Sequence, residues 1–192
     1  MKHETKWTFI IIGIFLIWGS FYPVSKYIVT DIPPTLAAFL RYACAVLTLT
    51  PLFIYKVRTR AFPSITHSIE MALIGFLGIT LFALLLFYGI KLSSSSVSSI
   101  LANTQPLFGP LFDWLILREH FSLREFFGII LGTIGMAVVV LESGDAGAGQ
   151  ATAIVSTMLL GNLSCVLAAV GISLYYILLK KHIQRYGSIV AT

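Results

Sequence analysis

PTLAAFLRYACAVLTLTPLFIYKVRTR, residues Pro34 to Arg60, runs from position 34 to position 55 with a single charge, Arg41, and then sets down Lys56, Arg58 and Arg60. A helix needs about 20 mostly apolar residues to cross the hydrocarbon core of a bilayer. This run is apolar around the whole helix circumference, which fits lipid and buried bundle positions and not one face of a soluble domain. Its basic end marks a side. Cytoplasmic loops collect Lys and Arg, so this helix is expected to enter from outside at Pro34 and to emerge inside at Lys56.

Reading outward on the same terms gives six spans: 8–28, 34–55, 70–90, 94–117, 124–141 and 157–179. The links hold helix breakers or charge: Asp31-Ile32-Pro33-Pro34, Lys56–His67, Lys91 with the serine run, Arg118–Leu123 and the Gly/Ala-rich, acidic Glu142–Gln150. The basic residues then test a division that did not use them. Lys2, Lys6, Lys56, Arg58, Arg60, Arg118, Arg124, Lys180, Lys181 and Arg185 fall on one side, and Lys26, Arg41 and Lys91 on the other or within helices. The alternation holds at every link, so six spans with both ends in the cytoplasm are expected, in a multi-pass protein of the plasma (inner) membrane. Met1–Lys6 followed by an apolar run could imitate a signal peptide, but the run continues through Trp18-Gly19-Ser20-Phe21-Tyr22-Pro23 with no A-x-A site and is read as a retained first span.

Composition excludes other classes. The chain is 57% hydrophobic and 11% charged, where soluble domains carry roughly a quarter charged residues. Its net charge of +5 does not indicate nucleic acid, because the basic residues lie at the ends of apolar runs and form no stripe with aromatics. Cys44 and Cys165 fall inside apolar runs and are expected to be small buried hydrophobes, not a disulfide or a metal pair. No metal or other cofactor is expected.

Further matches accumulate in order along the chain. Trp18-Gly19-Ser20 in the first span is followed by Lys26, and the second carries Phe39-Leu40-Arg41-Tyr42. The third ends in Phe87-Tyr88-Gly89-Ile90-Lys91-Leu92 and leads into Ser93–Ser99; the fourth runs from Pro106 to Glu119; the fifth holds Gly128, Gly132 and Gly135. This ordered set resembles the EamA-type transporters of the drug/metabolite transporter superfamily. The resemblance implies an all-α polytopic transmembrane helix bundle, half of a ten-helix inverted-repeat fold in which an odd number of spans per repeat turns the second copy over. Residues 1–141 would be the first five-helix repeat and 142–156 an external linker. Residues 157–192 would be the first helix of an incomplete second repeat, with a basic cytoplasmic tail. Ser173-Leu174-Tyr175-Tyr176-Ile177 echoes Ser20-Phe21-Tyr22-Pro23-Val24 where that repeat should begin. The missing second repeat is expected from a longer chain or a partner chain.

Several residues carry chemistry. Arg41 lies about three residues, roughly 5 Å of rise, from the middle of its span. A charge there costs at least ~2.5 kcal/mol on insertion scales. It is therefore either an anion-recognising or gating residue or a carbonyl-paired, snorkelling one. Asp113, between Phe112 and Trp114, is either a proton-coupling carboxylate or an interface acid reaching water or a basic neighbour such as Arg118; the resemblance leads to no acid there. Asn103-Thr104-Gln105-Pro106, with Pro110 one turn on, reads as a broken helix, because each proline removes an N–H and displaces the carbonyl four residues earlier. Such sites line cavities or are kinks satisfied by a neighbour. Trp18 and Tyr22 share a face at i, i+4, and with Tyr175 they are candidates to line a substrate cavity or, for Tyr88 and Tyr175, to anchor at the interface.

Lys26 either meets an anionic substrate or snorkels. Glu119 matches an acidic position of the family and is expected to pair with an arginine or cap the fifth helix, structurally or as a gate. Gly128, Gly132, Gly135, Gly75 and Gly78 are expected packing surfaces.

Together these readings give a secondary transporter of small metabolites working by alternating access, with the bilayer, a small-molecule substrate and a proton or other coupling ion as partners. Its cavity would be lined by the first, second and fourth spans. Analogy with family members adds export. The alternative is a truncated or accessory subunit without transport of its own. No Walker-A loop is present. The four histidines, His3, His67, His120 and His182, all lie in links or ends, which leaves an enzyme without an acid–base pair at a common depth.

Overall fold

The computed structural model describes residues 2–59, 64–118, 122–145 and 152–186. Among them every regular element is helical. The elements are α1 (Lys2–Asp31), α2 (Pro34–Thr59), α3 (Ile65–Gly75), a π-helical turn (Phe76–Thr80), α4 (Leu81–Leu92), α5 (Ser95–Ala102), α6 (Gln105–Leu117), α7 (Leu123–Asp145) and α8 (Thr152–Tyr186). α3, the π turn and α4 are continuous, and α5 and α6 are separated only by Asn103 and Thr104, so the segments make six rods that coincide with the six expected spans. Trp7–Asp31, Pro34–Tyr55, Ile65–Leu92 and Ser156–Lys180 are each long and apolar enough to cross a membrane. The fourth span is interrupted at Asn103-Thr104, and the fifth is α7.

Local chemistry sets the ends. α2 begins with Pro34, where a missing N–H would have had no intrahelical partner anyway. Ser94 caps α5 by accepting the Val97 N–H at 3.2 Å. At the break Thr104 Oγ1 donates to the Leu101 carbonyl at 2.6 Å, and Leu107 N restarts the ladder on the Thr104 carbonyl at 2.9 Å. α6 stops where Arg118 turns left-handed, at φ 56°, a conformation that disfavours a non-glycine residue by about 1 kcal/mol. α7 opens on a reciprocal cap: Ser122 N donates to Glu125 Oε2 at 2.8 Å and Glu125 N to Ser122 Oγ at 3.2 Å. The fifth span is thus capped by Glu125; Glu119, expected to cap or pair there, lies outside the described residues.

α8 is the centre of the bundle. Half of its apolar window (50%) is buried within the chain, against 11% for α1 and for α2. It packs along α4, α5 and α6 and reaches α3 and α7, while α1 and α2 pack chiefly on α4. Lipid tails are as apolar as leucine, so close packing and hydrogen bonds have to hold such helices together. The antiparallel α4–α8 seam achieves this with small residues. Gly89 lies against Cys165, and a Cβ on Gly161 would come within 2.9 Å of the Leu92 carbonyl carbon and the Ser93 nitrogen. Further along, a Cβ on Gly78 would sit 2.6 Å from that of Tyr175.

Of the other glycines expected to pack, Gly132 meets Leu107, whereas Gly75, Gly128 and Gly135 have nothing within 4 Å. Cys165 is buried, but Cys44 is exposed, contrary to expectation, because no described residue covers its side of α2. Polar side chains on the rods turn back onto their own backbone, as Thr48 does to the Cys44 carbonyl (2.7 Å) and Thr133 to the Ile129 carbonyl (2.7 Å). They leave an outer surface of large apolar groups such as Phe15, Ile17, Leu47 and Leu131, far more than a water-soluble monomer exposes.

Candidate substrate-binding site

Polar ties cross the bundle at successive levels. At one end Lys26 Nζ donates to the carbonyls of Ile90 (2.9 Å), Lys91 (2.9 Å) and Ser93 (2.6 Å). These lie at the C-terminus of α4, where helix carbonyls lack intrahelical partners and carry partial negative charge. Three N–H groups meet three acceptors, so in this conformation Lys26 has no donor left for an anionic solute. It ties α1 to α4. Beside it Ser93 Oγ donates to Asn162 Oδ1 at 2.5 Å, tying the same junction to α8.

The next level inward gathers α1, α2 and the α5–α6 break. Tyr22 is buried, and its oxygen accepts the Asn103 Nδ2–H at 3.1 Å; Asn103 Nδ2 also donates to the Ser99 carbonyl at 2.7 Å. Phe21 stands edge-on to Tyr22 (5.2 Å between centroids) and to Phe87 (6.0 Å). Over the Phe21 ring lies the Arg41 guanidinium, its central carbon 4.2 Å from that centroid and 5.5 Å from that of Tyr42. Such stacking is worth roughly 0.5–2 kcal/mol, which offsets part of the ~2.5 kcal/mol insertion penalty. The remainder is visible: Arg41 Nη1 is buried and has no hydrogen-bond partner among the described residues. Tyr42 is within electrostatic reach of Arg41 and of Tyr176 on α8, whose ring lies 5.3 Å from that of Tyr175.

Below this cluster the Gln105 carbonyl accepts from Ser173 Oγ at 3.0 Å, and Tyr175 is buried against Gly78 beside the π turn. At the opposite end from Lys26, Lys180 Nζ lies 3.0 Å from Asp113 Oδ1, with 39% and 28% of the two side chains exposed. A pair this open contributes at most about 1 kcal/mol. Asp113 thus meets a basic residue, but from the sixth span; Arg118 instead ends α6.

Of the residues singled out from the sequence, Tyr22, Arg41 and Asn103 come together. Gln105 joins α8 through its backbone, and Tyr175 packs on the third span. Trp18 is 58% exposed and Pro106 is exposed in the first turn of α6, so neither enters the cluster. Sequence reasoning missed Phe21, Tyr42, Tyr176 and Lys180. Phe21 and Tyr42 adjoin residues that were chosen, but only the fold shows which ring an arginine covers. The Ser122-Leu123-Arg124-Glu125 cap was legible as a motif and went unused.

Comparison with known proteins gives the family of the chain. The EamA-like transporter family matches residues 5–141. The uncharacterized transporter YdfC of Bacillus subtilis is 28% identical over 173 residues, covering 90% of this chain and 53% of its own. YetK of the same organism, also named as an uncharacterized transporter, is 29% identical, covering 84% of this chain and 48% of its own. The WAT1-related protein At5g40210 of Arabidopsis thaliana is 29% identical over 78% of this chain and 45% of its own. The chain therefore spans about half the length of these relatives. No solved structure matches it.

Proposed function

This chain belongs to the EamA-like transporter family, and from that premise we propose that it serves secondary transport of small metabolites across the plasma membrane, by alternating access and in the direction of export. The observation that carries the reading is Arg41: a cation at bilayer depth, stacked on Phe21, with a buried Nη1 that no acceptor among the described residues satisfies. Ionisable groups inside a membrane bundle mark solute pathways when they face its interior, and this one lies on Phe21, whose neighbour Tyr22 accepts from Asn103 where the fourth span is broken. Both ends of the chain lie in the cytoplasm. The Lys26 knot then closes the outer end and the Asp113–Lys180 pair the inner end, and in an alternating cycle each opens while the other holds. A proton or another ion supplies the coupling.

The linker and α8 begin the second, inverted repeat, whose remainder comes from a continuation of the chain or from a partner. The second reading is an accessory membrane subunit without flux of its own.

Arg41→Ala tests the first reading. In proteoliposomes solute flux should fall at least about tenfold, while the amount of protein inserted stays within a factor of two of wild type. If insertion and flux fall together, Arg41 is structural and its role in recognition is lost.

A further inference from the structure

Two hydrogen-bond donors in the same cluster lack acceptors among the described residues. Arg41 Nη1 is buried with no partner there. Tyr22, only 6% exposed, receives the Asn103 N–H on its oxygen, which leaves its own O–H proton to give; no described residue takes it. Phe21 links the two residues, edge-on to Tyr22 with 5.2 Å between centroids and carrying the Arg41 guanidinium on its face at 4.2 Å.

Among the described residues no carboxylate pairs with the guanidinium. Asp113 is engaged by Lys180 and Glu125 by the Ser122 backbone, both toward the other end of the bundle. Phe21 covers a face of the guanidinium and Tyr42 lies beside it, so what lacks a partner is the buried N–H edge at Nη1. A planar cation with a covered face and an unsatisfied N–H edge suits a pair of anionic oxygens.

We propose that Arg41 Nη1 and the Tyr22 hydroxyl together hold the carboxylate of a small organic acid, whose apolar part lies against the rings of Phe21 and Tyr42. The assignment deepens the transport reading and rests on it for calling that acid a substrate, but binding can be measured without flux. An amide of the same shape offers one uncharged oxygen, and an amine brings a second cation against Arg41, so both are rejected.

The probes are benzoate, benzamide and benzylamine, alike in shape and differing in charge, titrated calorimetrically into the protein in maltoside detergent, which carries no anionic group. Benzoate should bind, benzamide at least about thirtyfold more weakly, and benzylamine not at all. Arg41→Met should weaken benzoate by at least about thirtyfold and Tyr22→Phe, which keeps the ring and its packing, by about tenfold, the range for losing hydrogen bonds to a charged group. The proposal is overturned if benzoate does not bind, if benzylamine binds as well, or if well-folded Tyr22→Phe protein binds benzoate like wild type. Should vesicles move neutral or cationic solutes while benzoate fails to bind, the carboxylate site falls and transport stands. Should benzoate bind through Arg41 while no solute crosses, transport falls and the site stands.

Discussion

Lys26 and Arg41 are the same kind of residue at similar places, single cations toward the shared end of adjacent spans, yet their surroundings differ completely. Lys26 has three carbonyl acceptors for three N–H groups; Arg41 has rings on its face and one amino group with no acceptor. The sequence shows that both are costly at that depth, and it cannot separate them, because the carbonyls that satisfy Lys26 come from a helix end 64 to 67 positions away. The difference has a measurable consequence. Lys26→Met strands those carbonyls and should destabilise the protein in detergent by about 2 kcal/mol, the scale of hydrogen bonds to a charged group. Thermal unfolding reads this directly, and a midpoint equal to wild type would show that the knot does not hold α1 to α4. Asp113 followed the same pattern at the other end: that it needed a basic partner was legible, but not that the partner sits on the sixth span.

At the scale of elements, what could be read was whatever is written locally. Span limits follow from unbroken apolar runs ended by charge or proline, and the interruption at Asn103-Thr104 follows from Pro106 and the amides beside it. The π turn at Phe76–Thr80 was not legible, since Gly75-Phe76-Leu77-Gly78 reads as ordinary helix. Its setting is tertiary, with Gly78 lying hard against Tyr175. Glycine patterns were legible only in part. The regular spacing in α7 drew attention to three glycines, of which Gly132 alone has a neighbour, while the unpatterned Gly89 and Gly161 form the tight α4–α8 seam.

Gly161→Val therefore drives a side chain into the backbone at Leu92 and Ser93 and should cost at least about 3 kcal/mol, the upper end of overpacking effects. Gly75→Ala, with open space around it, should stay within about 0.5 kcal/mol of wild type. Parallel thermal melts check both, and equal melts for the two variants would remove the seam from the account.

For the whole molecule, the decisive feature is the central place of α8. Three of the other rods, α3–α4, α5–α6 and α7, pack on a helix that the resemblance assigns to the opening of another repeat, and this follows from composition. Gly161, Cys165, Ala168, Ala169 and Ser173 are small enough to let neighbours approach along its length, and all are buried. Nothing in the hydropathy of α8 distinguishes it from α1 or α2, so its centrality could not be read from the chain.

Orientation has its own test. In a variant lacking Cys44 and Cys165, a cysteine at Asp31 should react with a membrane-impermeant maleimide on intact cells, and one at Thr59 only after permeabilisation. The reverse pattern would invert every assignment of inner and outer made above.

The measurement that bears most directly on the central claim is flux. Protein reconstituted in the form its own membrane holds would be placed in vesicles loaded with a mixture of small metabolites, and the solutes leaving followed by mass spectrometry against their concentration. The account predicts that at least one solute leaves faster than from empty vesicles, that its rate saturates, and that Arg41→Met removes most of it. If no solute moves, or if the rate climbs linearly with concentration as through an open pore, the transporter account is contradicted.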